Sequence, residues 1–398
     1  MHIVYVLSQY PSLNETFIAR EMAELVRLGH RLTLCVLRPR PQEGLPPGLS
    51  VPEATVLRAP GRSVLGAFLS RPASWPDLLP GLRVPGRLHQ LAYLRGASSW
   101  FAARLRDEKV DHVRAHFLHS EAVSSMWLAR SLGVPYSVTA HVTDVRHAWG
   151  MVRRAVAGAA FTAGITGEMC GRLRELGATE VHLVRTGVSL PSLGAAKPEP
   201  RERGLVLAVG SLIEPKGFPI LVRACGVLKA RGVAFHCRIV GEGEDRAALE
   251  RLIAQLGLGG EVELAGALPF SQVLPHLSKA SLVAMPCVPS RLGTDGLPTV
   301  LIEALALGTP VVSTRHAGIP DLVRDGETGL LCEPGDVNGL AAAIERLLAD
   351  AALRERLAAA GQALVEAEFN TERSAGMLVE LMSRRSRAAR TAPQKVVG

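Results

Sequence analysis

Short apolar runs alternate with longer amphipathic runs along most of this chain. The apolar runs are rich in Val, Leu and Ala, as is typical of buried parallel strands, and the amphipathic runs have the spacing of helices that cover a sheet. Repeated units of this kind predict an α/β fold with helices on both faces of a parallel sheet. In the first half, strands are predicted near residues 3–7, 31–37, 112–117, 136–141, 161–165 and 181–185.

A proline-containing stretch divides this pattern into two parts. Residues 191–204 combine prolines, small residues and charges, a composition that packs poorly and indicates a linker. A second series of strands and helices follows it. These strands are predicted near residues 205–209, 235–240, 262–265, 282–286 and 311–314.

The two series predict two doubly wound Rossmann-like domains, residues 1–190 and 205–366. Because α/β sheets bind ligands at the carboxyl ends of their strands, we expect the domains to face each other across a cleft that holds the ligand. An amphipathic helix at 367–387 is expected to pack back on the N-terminal domain. The basic residues 388–398 are expected to form a disordered tail.

Composition narrows the class of protein. With 398 residues, 47% of them hydrophobic and 21% charged, the chain can bury the cores of two globular domains. A formal charge of +8 predicts anionic partners, but nucleic acid, a membrane surface and a phosphorylated substrate all satisfy that condition.

Cysteine usage and the N-terminus indicate a compartment. The 6 cysteines lie singly beside apolar residues, without a C-x-x-C pair or a zinc-ligand spacing, and are expected to be reduced core residues. The N-terminus enters a strand-like run directly, and no uninterrupted apolar run reaches the roughly 20 residues that a spanning helix needs. We therefore expect a cytoplasmic protein.

Residues 61–109 are unusually basic, with Arg residues between Leu, Trp and Tyr. Two interpretations stay open. The segment forms helices whose Arg-rich faces are solvated while the other faces pack on the first domain. Alternatively it forms a basic amphipathic surface that rests on anionic lipid, which would make the protein peripheral on the inner face of the membrane.

The most informative stretch is DGLPTVLIEALALGTPVV, residues 295–312, in which a loop enters a helix just before a buried strand. Its two carboxylates, Asp295 and Glu303, lie 303 − 295 = 8 positions apart, so one precedes the helix and the other lies inside it. The backbone N–H groups of Gly296 and Leu297 stand at the helix entrance, which favours an anion. The alternative is an ordinary loop acid and a surface helical acid.

A second candidate site is VGSLIEPKGF, residues 209–218, which follows the first strand of the second domain. Lys216 can neutralise a pyrophosphate as a point charge, and Gly217 allows close approach of the backbone. After the next strand, Gly241-Glu242-Gly243 lacks the third small residue of a dinucleotide fingerprint, because Arg246 stands there. The turn at Gly241 can still approach a nucleotide base or ribose.

Histidines follow two predicted strands of the first domain. His116 lies in RAHFLHSEAV, and His141 lies in YSVTAHVTDV, three residues before Asp144. A hydrolase grouping is not supported, since the chain has no G-x-S-x-G elbow, and no third ligand accompanies the histidines to make a metal site. Spacing alone favours a capping or core role for His141.

Together these segments resemble the family-4 glycosyltransferases over residues 113–145 and 205–348. Members of that family are retaining enzymes with two Rossmann-like domains, the GT-B fold, and use nucleotide diphosphate sugars without a catalytic metal. DGLPTVLIE looks like the family's E-x7-E motif with Asp in place of the first Glu. The segment SQYPSLNETFI, residues 8–18, is similar to the branch that builds exopolysaccharides such as colanic acid.

The resemblance implies roles for these residues. Lys216 matches the pyrophosphate-binding Lys, Asp295 would contact donor-sugar hydroxyls, and Glu303 would contact the ribose. His141 corresponds to the histidine near the anomeric centre, which reverses the preference given by spacing. The implied catalytic residues are His141, Lys216 and Asp295. The implied donor-binding residues are Ser211, Lys216, Gly217, Gly241, Asp295, Gly296, Leu297 and Glu303, and the acceptor-side candidates are Asn14, Glu15, Thr16, His116 and Asp144.

The implied function is transfer of a sugar, with retention, from a nucleotide diphosphate sugar to a glycan or lipid-linked acceptor in cell-surface polysaccharide biosynthesis. The implied partners are the nucleotide sugar and the acceptor, with no cofactor, no metal and no nucleic acid. Family members often carry an Arg where this chain has Ser211. Two alternatives stay open: a sugar-nucleotide epimerase of the same architecture, and a catalytically silent scaffold that binds nucleotide sugars.

Overall fold

The computed structural model describes residues 1–10, 16–38, 51, 53–60, 88–141, 150–193, 200–290 and 296–391. The chain divides into two compact units, the first comprising Met1–Arg185 and Glu372–Gly398 and the second comprising Thr186–Thr371. Each unit is built on one sheet whose strand pairs are parallel. The predicted α/β fold class with two doubly wound sheets is therefore confirmed.

The first unit holds a sheet of 7 strands in the order β3-β2-β1-β4-β5-β6-β7. The strand order reverses between β1 and β4, which is where α/β sheets bind ligands. Its strands are β1 (His2–Leu7), β2 (Arg31–Val36), β3 (Thr55–Arg58), β4 (His112–His116), β5 (Tyr136–Ala140), β6 (Phe161–Gly164) and β7 (Val181–Leu183). Its first helices are α1 (Thr16–Arg27), α2 (Leu88–Arg104), α3 (Ser120–Leu132), α4 (Gly150–Ala157) and α5 (Gly167–Glu175).

The two faces of this sheet differ in chemistry. Side chains alternate along a strand, so Val113 and Ala115 of β4 join Val138 of β5 in the core under α2, α3 and α4. On the opposite face, the register pairs Arg114 with Ser137. A row of polar side chains therefore runs toward the carboxyl ends of β4 and β5.

Helix α2 forms most of residues 88–109, the described part of the basic segment 61–109, and residues 61–87 lie outside the described residues. Its Leu91, Leu94 and Phe101 are buried in the core. Arg104 is exposed and lies over the ring of Trp100, with its guanidinium carbon 3.3 Å from the ring centroid. This packing agrees with the first of the two interpretations, and contact with lipid stays a prediction. Within the described residues, no helix combines the length and the apolar character that crossing a membrane requires.

The second unit holds a sheet of 6 strands in the order β10-β9-β8-β11-β12-β13, which reverses between β8 and β11. Its strands are β8 (Leu205–Val209), β9 (His236–Val240), β10 (Val262–Gly266), β11 (Leu282–Met285), β12 (Val311–Thr314) and β13 (Leu330–Cys332). Its helices are α6 (Leu190–Leu193), α7 (Phe218–Ala230), α8 (Arg246–Gln255), α9 (Phe270–Lys279), α10 (Thr299–Ala306), α11 (Ile319–Leu322), α12 (Val337–Ala349) and α13 (Ala351–Glu368).

The last helix, α14 (Thr371–Thr391), belongs to the first unit. Its Ala375, Leu378 and Met382 pack with Ile3 and Tyr5 of β1 on the polar side of the sheet. The helix includes the first residues of the predicted tail, and residues 392–398 lie outside the described residues. The predicted linker begins within α6, and its residues 194–199 also lie outside them.

All 6 cysteines are buried and lie outside any disulfide, as the apolar neighbours of each one in the sequence indicate. Burial raises the pKa of the Cys332 thiol to about 11, so this group stays protonated at neutral pH. The cysteines therefore act as small apolar core residues.

Candidate active site

Lys216 ends a short 3-10 turn, Glu214–Lys216, that follows β8 at the reversal of strand order. Its side chain crosses the end of β8, because a Cβ placed on Gly210 would lie 3.4 Å from Lys216 Cε and 3.7 Å from Met285 Cε. Gly217 then enters α7 with φ +68°, and a Cβ there would overlap the carbonyl oxygen of Pro286. Only glycine allows the turn to lie this close to the end of β11.

Two hydrogen bonds join the turn after β8 to the loop after β11. The Val288 N–H donates to the Pro215 carbonyl at 3.0 Å, and the Ser290 hydroxyl donates to Glu214 Oε2 at 2.6 Å. The segment from Val288 to Ser290 is therefore bonded to the turn that carries Lys216. We call these two hydrogen bonds, Val288 to Pro215 and Ser290 to Glu214, the loop clamp.

The glycines after β9 allow close packing of the backbone. Gly241 has φ +153°, and a Cβ on it would overlap the carbonyl oxygen of Gly210. A Cβ on Gly243 would overlap the carbonyl oxygen of Leu212, whose N–H donates to the Glu242 carbonyl at 2.9 Å. The close approach to the Gly210 carbonyl therefore explains why position 241 requires glycine. The predicted contact of Gly241 with the donor stays a prediction. Ser211, which follows Gly210 in the loop after β8, is exposed.

Helix α10 begins at Thr299, directly after the N-cap residue Pro298. Glu303 lies in its second turn and is 5% exposed, within a helix that is buried from Val300 to Ala306. The interpretation of Glu303 as a solvated surface acid is therefore wrong. The Gly296 carbonyl, just before the helix, accepts from the Gly318 N–H at 2.8 Å, which ties this entrance to the segment after β12. Asp295 lies outside the described residues, and its predicted role stays a prediction.

In the first unit, His116 at the end of β4 and His141 just after β5 are brought together. Their nitrogens His116 Nδ1 and His141 Nε2 are 3.1 Å apart, and both side chains are buried. Two aromatic rings flank His141, with centroids 4.7 Å away for Phe17 and 4.6 Å away for Phe117. Phe117 has φ +70°, an uncommon conformation for a residue with a side chain, which turns the chain as it leaves β4.

Behind His116 lies a carboxylate that sequence reasoning missed. Glu21 of α1 accepts from His116 Nε2 at 3.0 Å, from the Tyr5 hydroxyl at 2.6 Å, and from Arg114 Nε at 2.7 Å. Arg114 Nη2 donates to the other carboxylate oxygen at 3.0 Å and also to Thr139 Oγ1 at 2.8 Å. A signal existed for Arg114, because a charged residue in an apolar strand usually has a partner.

Burial and charge set the protonation of this cluster. Burial alone would raise the pKa of Glu21, but the Arg114 guanidinium and the donor at His116 hold it well below its usual value. Burial lowers the pKa of His116 despite the Glu21 carboxylate, and burial together with His116 lowers the pKa of His141 well below its usual value. At neutral pH the cluster therefore contains one ion pair and two neutral imidazoles.

Of the acceptor-side candidates other than His116, Thr16 lies within the described residues. Thr16 is half-buried at the start of α1, one residue before Phe17. Asn14, Glu15 and Asp144 lie outside the described residues. In the part of the chain that the structure describes, no cluster of three His, Cys, Asp or Glu side chains could hold a metal ion.

Comparison with known proteins identifies the family to which this chain is similar. The family described as "Glycosyl transferases group 1" matches residues 194–364. The amylovoran biosynthesis glycosyltransferase AmsK of Erwinia amylovora is 36% identical over 180 residues, 45% of this chain and 44% of that protein. The lipopolysaccharide core biosynthesis glycosyltransferase LpsE of Rhizobium meliloti is 35% identical over 46% of this chain and 51% of that protein. The matches to these two relatives thus span about half of their length.

A longer match and a solved structure extend the likeness. The alpha-D-kanosaminyltransferase of Streptomyces kanamyceticus is 30% identical over 330 residues, 73% of this chain and 84% of that protein. The crystal structure of Anabaena HepE in complex with UDP has a TM-score of 0.73 at 16% identity, covering 96% of this chain and 100% of that chain. The likeness to HepE shows the fold. Together the matches confirm the resemblance to glycosyltransferases that the motifs indicate. The chain belongs to the group 1 glycosyltransferases.

Proposed function

We propose that this protein transfers a sugar from a nucleotide diphosphate sugar to a glycan or lipid-linked acceptor in cell-surface polysaccharide biosynthesis. The observation that carries the proposal is the half-buried Lys216 at the strand-order reversal of the second unit, in a chain that belongs to this family. The names of AmsK and LpsE support the pathway, and the UDP held by HepE supports a nucleoside diphosphate leaving group.

The chemistry that must be assisted is departure of the diphosphate. Negative charge builds on this leaving group while the sugar becomes oxocarbenium-like, so fixed positive charge near the diphosphate lowers the barrier. Lys216 would supply that charge, and the backbone N–H groups of Gly296 and Leu297 before α10 would add to it. Glu303 would bind the ribose, and Asp295 would orient the sugar hydroxyls. His141 would lie near the anomeric carbon.

We further propose that transfer proceeds with retention and without a metal, by attack of the acceptor on the same face that the diphosphate leaves. Family resemblance supports retention, and the Lys216 cation offers the charge that a metal supplies elsewhere. The anomeric configuration of the product, followed by NMR at early times, tests retention. Unchanged turnover after treatment with EDTA is expected if no metal takes part.

The decisive variant is Lys216→Met, which keeps the length of the side chain and removes its charge. Loss of one preorganised charge is expected to lower kcat/KM by roughly 10²–10³-fold. The assay is release of nucleoside diphosphate from a panel of nucleotide sugars with an acceptor present. The matched control is Lys229→Met, because Lys229 pairs with Glu261 at 2.8 Å on the surface of α7, and its loss should leave turnover unchanged.

Three outcomes would contradict parts of the proposal. Equal turnover in Lys216→Met and in the unmodified protein would remove Lys216 from the site. Interconversion of donor sugars without an acceptor would indicate an epimerase. Binding of nucleotide sugars with no turnover for any acceptor tried would indicate a scaffold.

We also propose that the protein works in the cytoplasm, on the inner face of the membrane, where lipid-linked acceptors are held. The net charge of +8 supports contact with anionic lipid. Co-sedimentation with vesicles that contain phosphatidylglycerol at low salt is expected, and equal recovery with neutral phosphatidylcholine vesicles would contradict an electrostatic contact.

A further inference from the structure

The buried cluster of Glu21, Arg114, Tyr5 and the two histidines determines where protons lie. Glu21 Oε1 receives three donors, from the Tyr5 hydroxyl, Arg114 Nε and His116 Nε2, at 2.6, 2.7 and 3.0 Å. An oxygen surrounded in this way has no space for a proton of its own. Glu21 is therefore a carboxylate that only accepts, and His116 Nε2 must carry a proton.

Charge balance decides the state of His116. The Arg114 side chain is fully buried and forms a bidentate pair with Glu21, the carboxylate that balances its charge among the described residues. Protonating His116, which is 3% exposed, would place two cations against the one carboxylate that the described residues bring to this buried cluster. His116 is therefore neutral, and with its proton on Nε2 its Nδ1 carries a lone pair.

The proton position of His116 in turn determines that of His141. His141 Nε2 lies 3.1 Å from His116 Nδ1, so the nitrogen of His141 must donate if the nitrogen of His116 accepts. Packing of the ring against Phe17 and Phe117 limits rotation that would exchange its edges. A neutral His141 with its proton on Nε2 has none on Nδ1.

We propose that Glu21 and His116 are positioning residues that hold His141 as the neutral tautomer with its proton on Nε2, so that Nδ1 offers a lone pair and not a proton. The proposal deepens the proposed function, on which its catalytic part rests. His141 then accepts a hydrogen bond from a hydroxyl group of the sugar. It does not act as an acid toward the diphosphate. The negative charge of the leaving group is stabilised by groups of the second unit.

The first test needs no enzymatic activity, and it uses one variant only to assign the signals of His141. Protein with ¹⁵N-labelled histidine is examined at pH 7 by long-range ¹H–¹⁵N NMR, which distinguishes the two neutral tautomers and the cation of each imidazole. The signals of His141 are assigned by their loss in His141→Gln. A proton on Nε2 alone in both His116 and His141 is expected. A proton on Nδ1 of His141, or on both of its nitrogens, would overturn the proposal.

The second test separates the two edges of His116. In His116→Asn the amide oxygen can replace Nδ1 and still accept from His141, whereas in His116→Gln the amide nitrogen can replace Nε2 and still donate to Glu21. We expect His116→Gln to lose roughly 10²-fold in kcat through misorientation of His141, with donor KM changed less than about threefold. His116→Asn should keep more of kcat than His116→Gln.

The spectrum and the kinetics fail in distinguishable ways. If His141 keeps a single Nε2–H tautomer in His116→Gln, His116 does not position it, and the proposal is wrong whatever the activity. If the unmodified protein has the expected tautomers but transfers no sugar, the positioning stands and the proposed function fails. A folded state with an unchanged circular dichroism spectrum is required of both variants, and the spectrum of the unmodified protein decides the tautomer if either variant does not fold.

Discussion

Single glycines bring separate backbone segments of the second unit into contact, and Gly241 is the clearest case. Its positive φ and its contact with the Gly210 carbonyl oxygen both exclude a side chain. Gly241→Ala should cost about 2–5 kcal/mol, from a left-handed penalty of about 1–2 kcal/mol and overpacking of about 1–3 kcal/mol. Because the loop of Gly210 and Ser211 would shift, affinity for a nucleotide sugar should fall as well. Urea unfolding and calorimetric titration measure the two effects.

The control for this prediction is Gly257→Ala. Gly257 also has a positive φ, +65°, but a Cβ there would meet nothing within 4 Å. It should therefore cost only the left-handed penalty, about 1–2 kcal/mol, with donor binding intact. Equal losses in the two variants would show that the overlap with Gly210 contributes nothing.

Residues differ in how far the sequence can reveal them. Lys216 and Glu303 lie in compact motifs, where the strand, the loop and the helix follow one another in the chain. Glu21 stands 93 positions from Arg114 and 95 from His116, and only the folded sheet brings the three together. Residue spacing therefore predicted the second unit's candidates, whereas the partner of the histidines needed the tertiary structure.

At the scale of elements, the loop clamp connects the turn after β8 with the loop after β11. Ser290→Ala removes the hydrogen bond to Glu214, whose carboxylate water can reach. The free energy of unfolding should fall by less than about 1.5 kcal/mol. If the clamp orients Lys216 and the segment before α10, a loss of about 1 kcal/mol in donor binding would raise donor KM about fivefold.

The matched control is Ser278→Ala on α9. Its hydroxyl donates to the Leu274 carbonyl of the same helix at 3.2 Å, so an equal change of side chain leaves the clamp intact. Donor KM should then be unchanged. A rise in KM of similar size in both variants, measured by steady-state kinetics, would show that the clamp has no special part in donor binding.

The sequence pattern predicted the central strands of both sheets and missed one edge strand in each sheet. The apolar runs marked the central strands of both sheets, because a strand buried on both faces must be apolar along its whole length. The strands that were missed, β3 and β13, both lie at the outer edge of their sheets. Thr55 of β3 is exposed and its other residues are half-buried, while β13 has only 3 residues, so neither produces a long apolar run.

For the whole molecule, the two units differ in the histidines that they bury. The first unit buries His2, His112, His116 and His141, and burial beside Arg114 lowers the pKa of His112 to about 3. The second unit's histidines, His236, His276 and His316, are all partly exposed. The first unit should therefore be the more sensitive to acid.

The sign of this effect follows from linkage. A histidine with an ordinary pKa near 6.5 in the unfolded chain and a lower pKa in the folded chain binds more protons when unfolded, so stability is full above pH 6.5 and falls below it. For His112 the loss continues down to about pH 3, where the folded state also binds the proton. Between pH 6.5 and pH 5 this one group removes about 2 kcal/mol, which corresponds to about 5 °C in Tm.

Tryptophan fluorescence can follow the first unit within the whole chain, because Trp75, Trp100, Trp127 and Trp149 all lie between residues 1 and 185. The fluorescence Tm should fall as the pH is lowered from 7.5 to 5. In His112→Gln, the amide nitrogen can replace Nε2 at 2.9 Å from Ser137 Oγ but does not titrate. The fall in Tm should therefore be smaller by the part that titration of His112 contributes. An identical dependence on pH in this variant and in the unmodified chain would show that His112 is not a source of the acid sensitivity, because its charge is the only titration that the substitution removes.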